Sequence, residues 1–136
     1  MSDLYAVDLA LDLRASVPDT LLADLRWHLD PGDREVDGMF PVLAERGPAV
    51  RIGGVLIGEL VQKPGGYGQE PGGWALTVRQ EIHAEVLPEF EALVERLAPH
   101  SRTVGVVGQV RFYEDDVPEL LINDSGTLTK STCRAA

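Results

Sequence analysis

Arg79 and Arg111 lie in two stretches that alternate apolar and polar residues, "WALTVRQEIH" and "GQVRFY". Strand periodicity sends both guanidinium groups to one face of a sheet. Two such groups side by side can grip a carboxylate through paired hydrogen bonds. A third alternating stretch, "LYAVDLALDLRA", sends Asp8 and Asp12 to the same face. Either is a candidate general base there, with His83 as the alternative. Arg14, Glu59, Glu81, Gln109 and Tyr113 complete the outward set. The competing expectation is a solvated face whose opposite charges pair across strands, each pair contributing little. Val55, Ile57 and Val107 are expected on this face too, a mixture that also suits a dimer or partner surface.

The stretch "KPGGYGQEPGG", Lys63 to Gly73, invites a phosphate-binding reading. A phosphate cradle needs main-chain N–H groups, usually at a helix N-terminus, with a cation close by. Here the loop joins two strands, Glu70 has the wrong charge, and no basic residue follows before Arg79. The stretch reads as a mobile hairpin connection, with Tyr67 as the aromatic contact residue of a lid or recognition loop. The three histidines, His28, His83 and His100, lack ligand spacing, and the single cysteine, Cys133, is near the C-terminus. No metal site is expected from them. His28 falls near the end of a helix, where a cation suits the dipole. There is no G-x-S-x-G elbow, and Ser16 and Ser125 read as a helix cap and a turn residue. No cofactor is expected, and no coherent catalytic set emerges.

These side chains depend on the elements that carry them. In the first stretch Tyr5, Val7, Leu9, Leu11 and Leu13 point inward. "SVPDTLLADLRWHLDPG" predicts a helix capped by Ser16, with Leu22, Leu25 and Leu29 on one face and Trp27 off that stripe. Within residues 33–49, "MFPVLAER" fits a short helix or an irregular turn. "VRIGGVLIGELVQ" reads as a strand loosened by Gly53, Gly54 and Gly58. In the next strand Trp74, Leu76, Val78 and Ile82 face inward. A second helix is expected over about 86–98, with Pro88 in its first turn and Phe90, Leu93, Val94 and Leu97 as its buried stripe. "VGVVGQVRFY" and "PELLIN" are two further strands joined by "EDDV". Residues 1–125 thus form one α+β domain, and 126–136 a short edge strand or a loose tail. The order predicts a ferredoxin-like βαββαβ sandwich with an extra C-terminal strand, an antiparallel sheet with two helices on one face.

"WALTVRQEI", "FEALVERLAP" and "GQVRFYEDDVPELL" together resemble the second half of a family of small bacterial proteins. Those carry a strand ending in Arg, a helix ending in Ala-Pro, and a Gly-x-x-Arg-Phe/Tyr-x-Glu strand leading into Pro-x-Leu-Leu. The resemblance covers the last half of the chain. It implies a shared fold and, since the family has no assigned activity, brings no catalytic residues. The long Pro/Gly loop departs from its pattern.

With 136 residues, 44% hydrophobic and 25% charged, the chain fits one soluble globular domain with its own core. The formal net charge of −10 argues against nucleic acid and against an anionic membrane surface, and it permits a basic protein partner. The first residues lack the basic region of a signal peptide, no apolar run has membrane-spanning length, and one cysteine cannot form an internal disulfide. A cytoplasmic protein follows. Abundant Arg, Ala, Gly and Pro point to a GC-rich bacterial source. The leading expectation is a non-catalytic acidic domain that binds a basic protein, in the manner of an immunity-type inhibitor, or forms a homodimer. The alternative is a small-ligand-binding protein or enzyme whose site lies on the open sheet face.

Overall fold

The computed structural model describes residues 3–34, 38–64 and 72–132. Tyr67, most of the Lys63–Gly73 stretch with its expected mobility, and Cys133 lie outside the described residues. The chain forms β1 (Leu4–Leu13), α1 (Asp19–Leu29), β2 (Gly47–Pro48), β3 (Val55–Gln62), β4 (Trp74–His83), α2 (Leu87–Leu97), β5 (Gly105–Phe112), β6 (Glu119–Asp124) and β7 (Thr127–Thr132). A 3₁₀ turn, Ala98–His100, follows α2. The seven strands make one antiparallel sheet in the order β2-β3-β4-β1-β5-β6-β7.

The alternation of β1 fixes its place. It pairs with β4 along its whole length, from Leu4↔His83 to Leu13↔Trp74. A slip of one residue would turn every inward leucine into solvent, so the register is strongly specified. Val7, Leu9, Leu11 and Leu13 meet Leu76, Val78 and Ile82 in a single core. Phe90, Leu93, Val94 and Leu97 of α2 enter it at i, i+3, i+4 and i+7. Leu21, Leu22, Leu25 and Leu29 of α1 enter the same core, and Arg96 Nη2 donates to Asp24 Oδ2 at 2.8 Å between the two helices.

Several expectations are revised. Ser16 caps nothing: α1 begins at Asp19 after Pro18, and no side chain caps it. Of the two forms open to "MFPVLAER", a short helix or an irregular turn, the chain takes the irregular one. This segment inserts Val42 and Leu43 into the core beside the end of α1. That second neighbour explains why α1 buries more than a leucine stripe. Trp27 is buried and donates through Nε1 to the Arg34 carbonyl at 3.0 Å. His28 is 2% exposed, and its Nδ1 accepts from the Val42 N–H at 3.2 Å. Burial pushes its pKa below the usual 6.5, against the pull of Glu89 and Asp24. It is a neutral core residue, and the expected dipole-stabilised cation is absent.

Gly53 and Gly54 do not loosen a strand. Both have positive φ, +75° and +72°, and they turn the loop that precedes β3. Gly58 has another role: a Cβ there would lie 2.7 Å from the Leu43 carbonyl oxygen and 2.9 Å from Leu29 Cδ2. Only glycine lets the irregular segment press against β3. Val107 is buried, not outward. A bulge between Val106 and Gly108 shifts the pleat by one residue, so Val106 faces outward in its place. The strand count exceeds that of the ferredoxin-like core: β2 is an unexpected edge strand, and β7 takes the other edge as the short strand expected within 126–136.

Candidate functional site

The outward face is built in rows by the registers. One row runs Ile57, Arg79, Asp8, Gln109, Leu120 from β3 to β6. A second carries Glu81, Ala6 and Arg111. Arg79 and Arg111 therefore sit on opposite sides of β1 and one row apart, about 10 Å across the strands alone. They do not converge. Arg79 Nη1 donates to the Gly53 carbonyl at 2.8 Å, and its Nε lies 3.9 Å from Asp8 Oδ1. Arg111 Nη1 donates to the Asp115 carbonyl at 2.7 Å, with the Phe112 and Tyr113 carbonyls at 3.4 and 3.3 Å. Both guanidinium groups are spent on the protein's own main chain.

Asp8, Asp12, Arg14 and Tyr113 are also engaged, whereas Glu59 and His83 are exposed. Asp8 Oδ2 accepts from Gln109 Nε2 at 3.2 Å. Asp12 pairs with Lys63 Nζ at 3.0 Å near the end of the β3–β4 hairpin. Arg14 leaves the sheet and donates to the Pro99 carbonyl. His83 is exposed at the end of β4, away from Asp8 and Arg79. A hydrogen bond with Glu114 pushes the Tyr113 hydroxyl pKa up. Tyr113 also lies under Arg51, whose guanidinium carbon is 5.8 Å from the ring centre.

That last contact belongs to a feature the periodicity hides. Glu81 points outward, and its carboxylate accepts from the N–H groups of Val50, Arg51 and Ile52 at 2.6, 2.6 and 3.1 Å. Burial pushes the Glu81 pKa up, but those three donors, with Arg79 beside it, outweigh burial and hold it below its ordinary value. The loop 49–54 is thereby strapped to Glu81 on the outward face, with Arg51 reaching the Tyr113 ring. A run of Val-Arg-Ile before two glycines was the only sequence signal, and strand periodicity masked it.

The uncovered part of the face is a shallow depression of about 400 Å³ containing Asp8, Arg79, Gln109, Ile57 and Val106. Val61 and Val106, at 54% and 55% exposure, stand open on this face. Two larger grooves lie elsewhere among the described residues. One, of about 670 Å³, is lined by Tyr5, Leu87, Phe112, Asp115 and Glu119, and ends at Asp3 and Thr132, the outermost described residues. The other, of about 560 Å³, lies where β4 turns into α2 beside Phe40.

No family model, curated protein or solved structure matches the chain. Among the described residues, no group of three or more His, Cys, Asp or Glu is placed to hold a metal ion. No helix among them is long and apolar enough to cross a membrane.

Proposed function

We propose that this chain is a non-catalytic acidic domain that works through protein contacts on the open sheet face. One observation carries the reading: half-exposed valines stand on a face where Asp8, Asp12, Arg79, Glu81 and Arg111 are already engaged with one another, with neighbouring side chains or with the main chain. A contact surface can use such a face, because it needs apolar area with satisfied polar groups around it. A net charge of −10 favours a basic partner over a second copy, with the homodimer as the other form of the same reading. The ferredoxin-like description belongs to this proposal, supported by the antiparallel order β3-β4-β1-β5 within the larger sheet. So do the bacterial family resemblance, whose quoted segments fall on β4, α2 and β5–β6, and a cytoplasmic setting. The depression beside Arg79 and Asp8 favours one second reading, a small-ligand or enzyme site on the same face.

A thermal-shift panel of small carboxylates and phosphates separates the two. No compound should stabilise the wild type in an Arg79-dependent way. A carboxylate that raises the Tm of the wild type, but not of Arg79→Ala or Arg111→Ala, would overturn the protein-contact reading. Sedimentation then assigns the contact. A concentration-dependent dimer abolished by Val106→Asp means self-association, and a monomer at every concentration means a separate partner.

A further inference from the structure

The groove beside Phe40 lies at the β4–α2 end of the sheet, away from the depression beside Arg79 and Asp8. Phe40 is 65% exposed, an uncommon position for a large aromatic side chain. Its main-chain N–H faces Glu89 Oε2 at 3.4 Å, which places the segment against the first turn of α2. Val42, Ile82 and Val86 continue the apolar wall. Glu45, Glu85 and Glu89 stand on the rim, and among the described residues no Lys or Arg lines the groove. Glu81 and His83 also reach it; the Glu81 carboxylate is held by the amides of residues 50–52, and His83 is the one basic side chain on the lining. The groove therefore offers an apolar seat and, within one short span, a rim where three carboxylates face one histidine and no Lys or Arg.

We infer that this groove binds an extended basic peptide segment of a partner protein. A large apolar side chain packs on Phe40, and a neighbouring Lys or Arg meets Glu45, Glu85 or Glu89. The inference rests on the reading that the chain works through protein contacts, and it adds a second surface and the chemistry of its partner. The geometry suits a peptide. Residues i and i+2 of an extended chain point the same way about 6.6 Å apart, so one face supplies both the apolar anchor and the cation. A second copy of this chain is the wrong occupant, since each copy carries a net charge of −10 and acid would meet acid.

The test is fluorescence anisotropy with a labelled peptide repeating Ser-Leu-Ser-Arg, against a control repeating Ser-Leu-Ser-Glu. The wild type should bind the first and ignore the second, more weakly as salt rises. Phe40→Ala should weaken binding about tenfold or more, and Phe40→Leu should restore most of it. Glu45→Lys with Glu85→Lys should weaken it similarly and flatten the salt dependence. Glu95→Lys with Asp124→Lys makes the same charge change elsewhere and should bind as the wild type does. Circular dichroism and a thermal melt confirm that each variant is folded. No binding by the wild type overturns the inference. So does equal loss in both charge-reversed pairs, or binding indifferent to Phe40→Ala. Those outcomes leave the protein-contact reading standing, which falls only to an Arg79-dependent small ligand.

Discussion

His28 is held where its charged form is disfavoured. Its ring is buried against Trp27 at 4.9 Å between centres, and its Nδ1 accepts from Val42. A protonated Nδ1 could not accept, so protonation would break that bond as well as bury a charge. The folded pKa lies below 6.5, so the unfolded chain binds the proton more readily. The stabilisation is present in full above about 6.5 and is lost as pH falls through the folded pKa. Urea midpoints should therefore drop between pH 7.5 and 5.5, with circular dichroism as the readout. His28→Asn retains an acceptor without titrating in this range, and it should flatten that drop. An unchanged slope in the variant would remove His28 as the cause. Parity in "LYAVDLALDL" and "WALTVRQEIH" was enough to place Asp8, Asp12 and Arg79 outward. It could not show what the arginines hold, because their partners are main-chain carbonyls in loops, which carry no sequence signature.

At the scale of elements, the irregular segment 38–46 closes the core beside α1 without being a helix. Arg46 fastens it: Nη1 donates to the Leu43 and Glu45 carbonyls at 2.8 Å each. Nη2 donates to the Leu29 and Gly58 carbonyls at 3.0 and 2.8 Å. From below, buried Gln80 accepts from the Glu45 N–H and donates to the Glu45 and Ile57 carbonyls. One arginine and one glutamine thus join α1, the segment, β3 and β4. Gly58→Ala would force the segment away from β3. It should cost about 1–3 kcal/mol by overpacking, read as a lower urea midpoint at constant m-value. A neutral result would mean that the segment shifts freely and does not define the edge of the core. Both helices and the long strands were legible because their apolar spacing repeats over several turns. The loop before β3 was not, because Val50 and Ile52 mimic the alternation of the strand that follows. The bulge at Val107 was equally hidden, since an inserted residue changes phase without changing composition.

Across the whole molecule, 22 acidic side chains face 12 basic ones. Several cations are drawn into local contacts: Lys130 meets Glu91 and Glu119, and Arg96 meets Asp24. The excess acid is left to repel itself, and that repulsion opposes compactness. Raising the salt from about 0.01 to about 0.1 M shortens the Debye length from about 30 to about 10 Å. The melting temperature should rise over that range in scanning calorimetry. A fall would mean that the surface ion pairs outweigh the net repulsion. Net charge was fully legible in the sequence, whereas its gathering at the rim of the Phe40 groove required the fold, because Glu45, Glu85 and Glu89 come from two separate stretches of chain. The carboxylate of Glu81 has a consequence of the same long-range kind. Three successive main-chain N–H groups beside a glycine pair form an inviting berth for phosphate or another anion. Here the protein has moored its own side chain there. Any outside anion must first displace a tethered competitor at very high local concentration, so the turn that most resembles an anion receptor is closed to anions from solution.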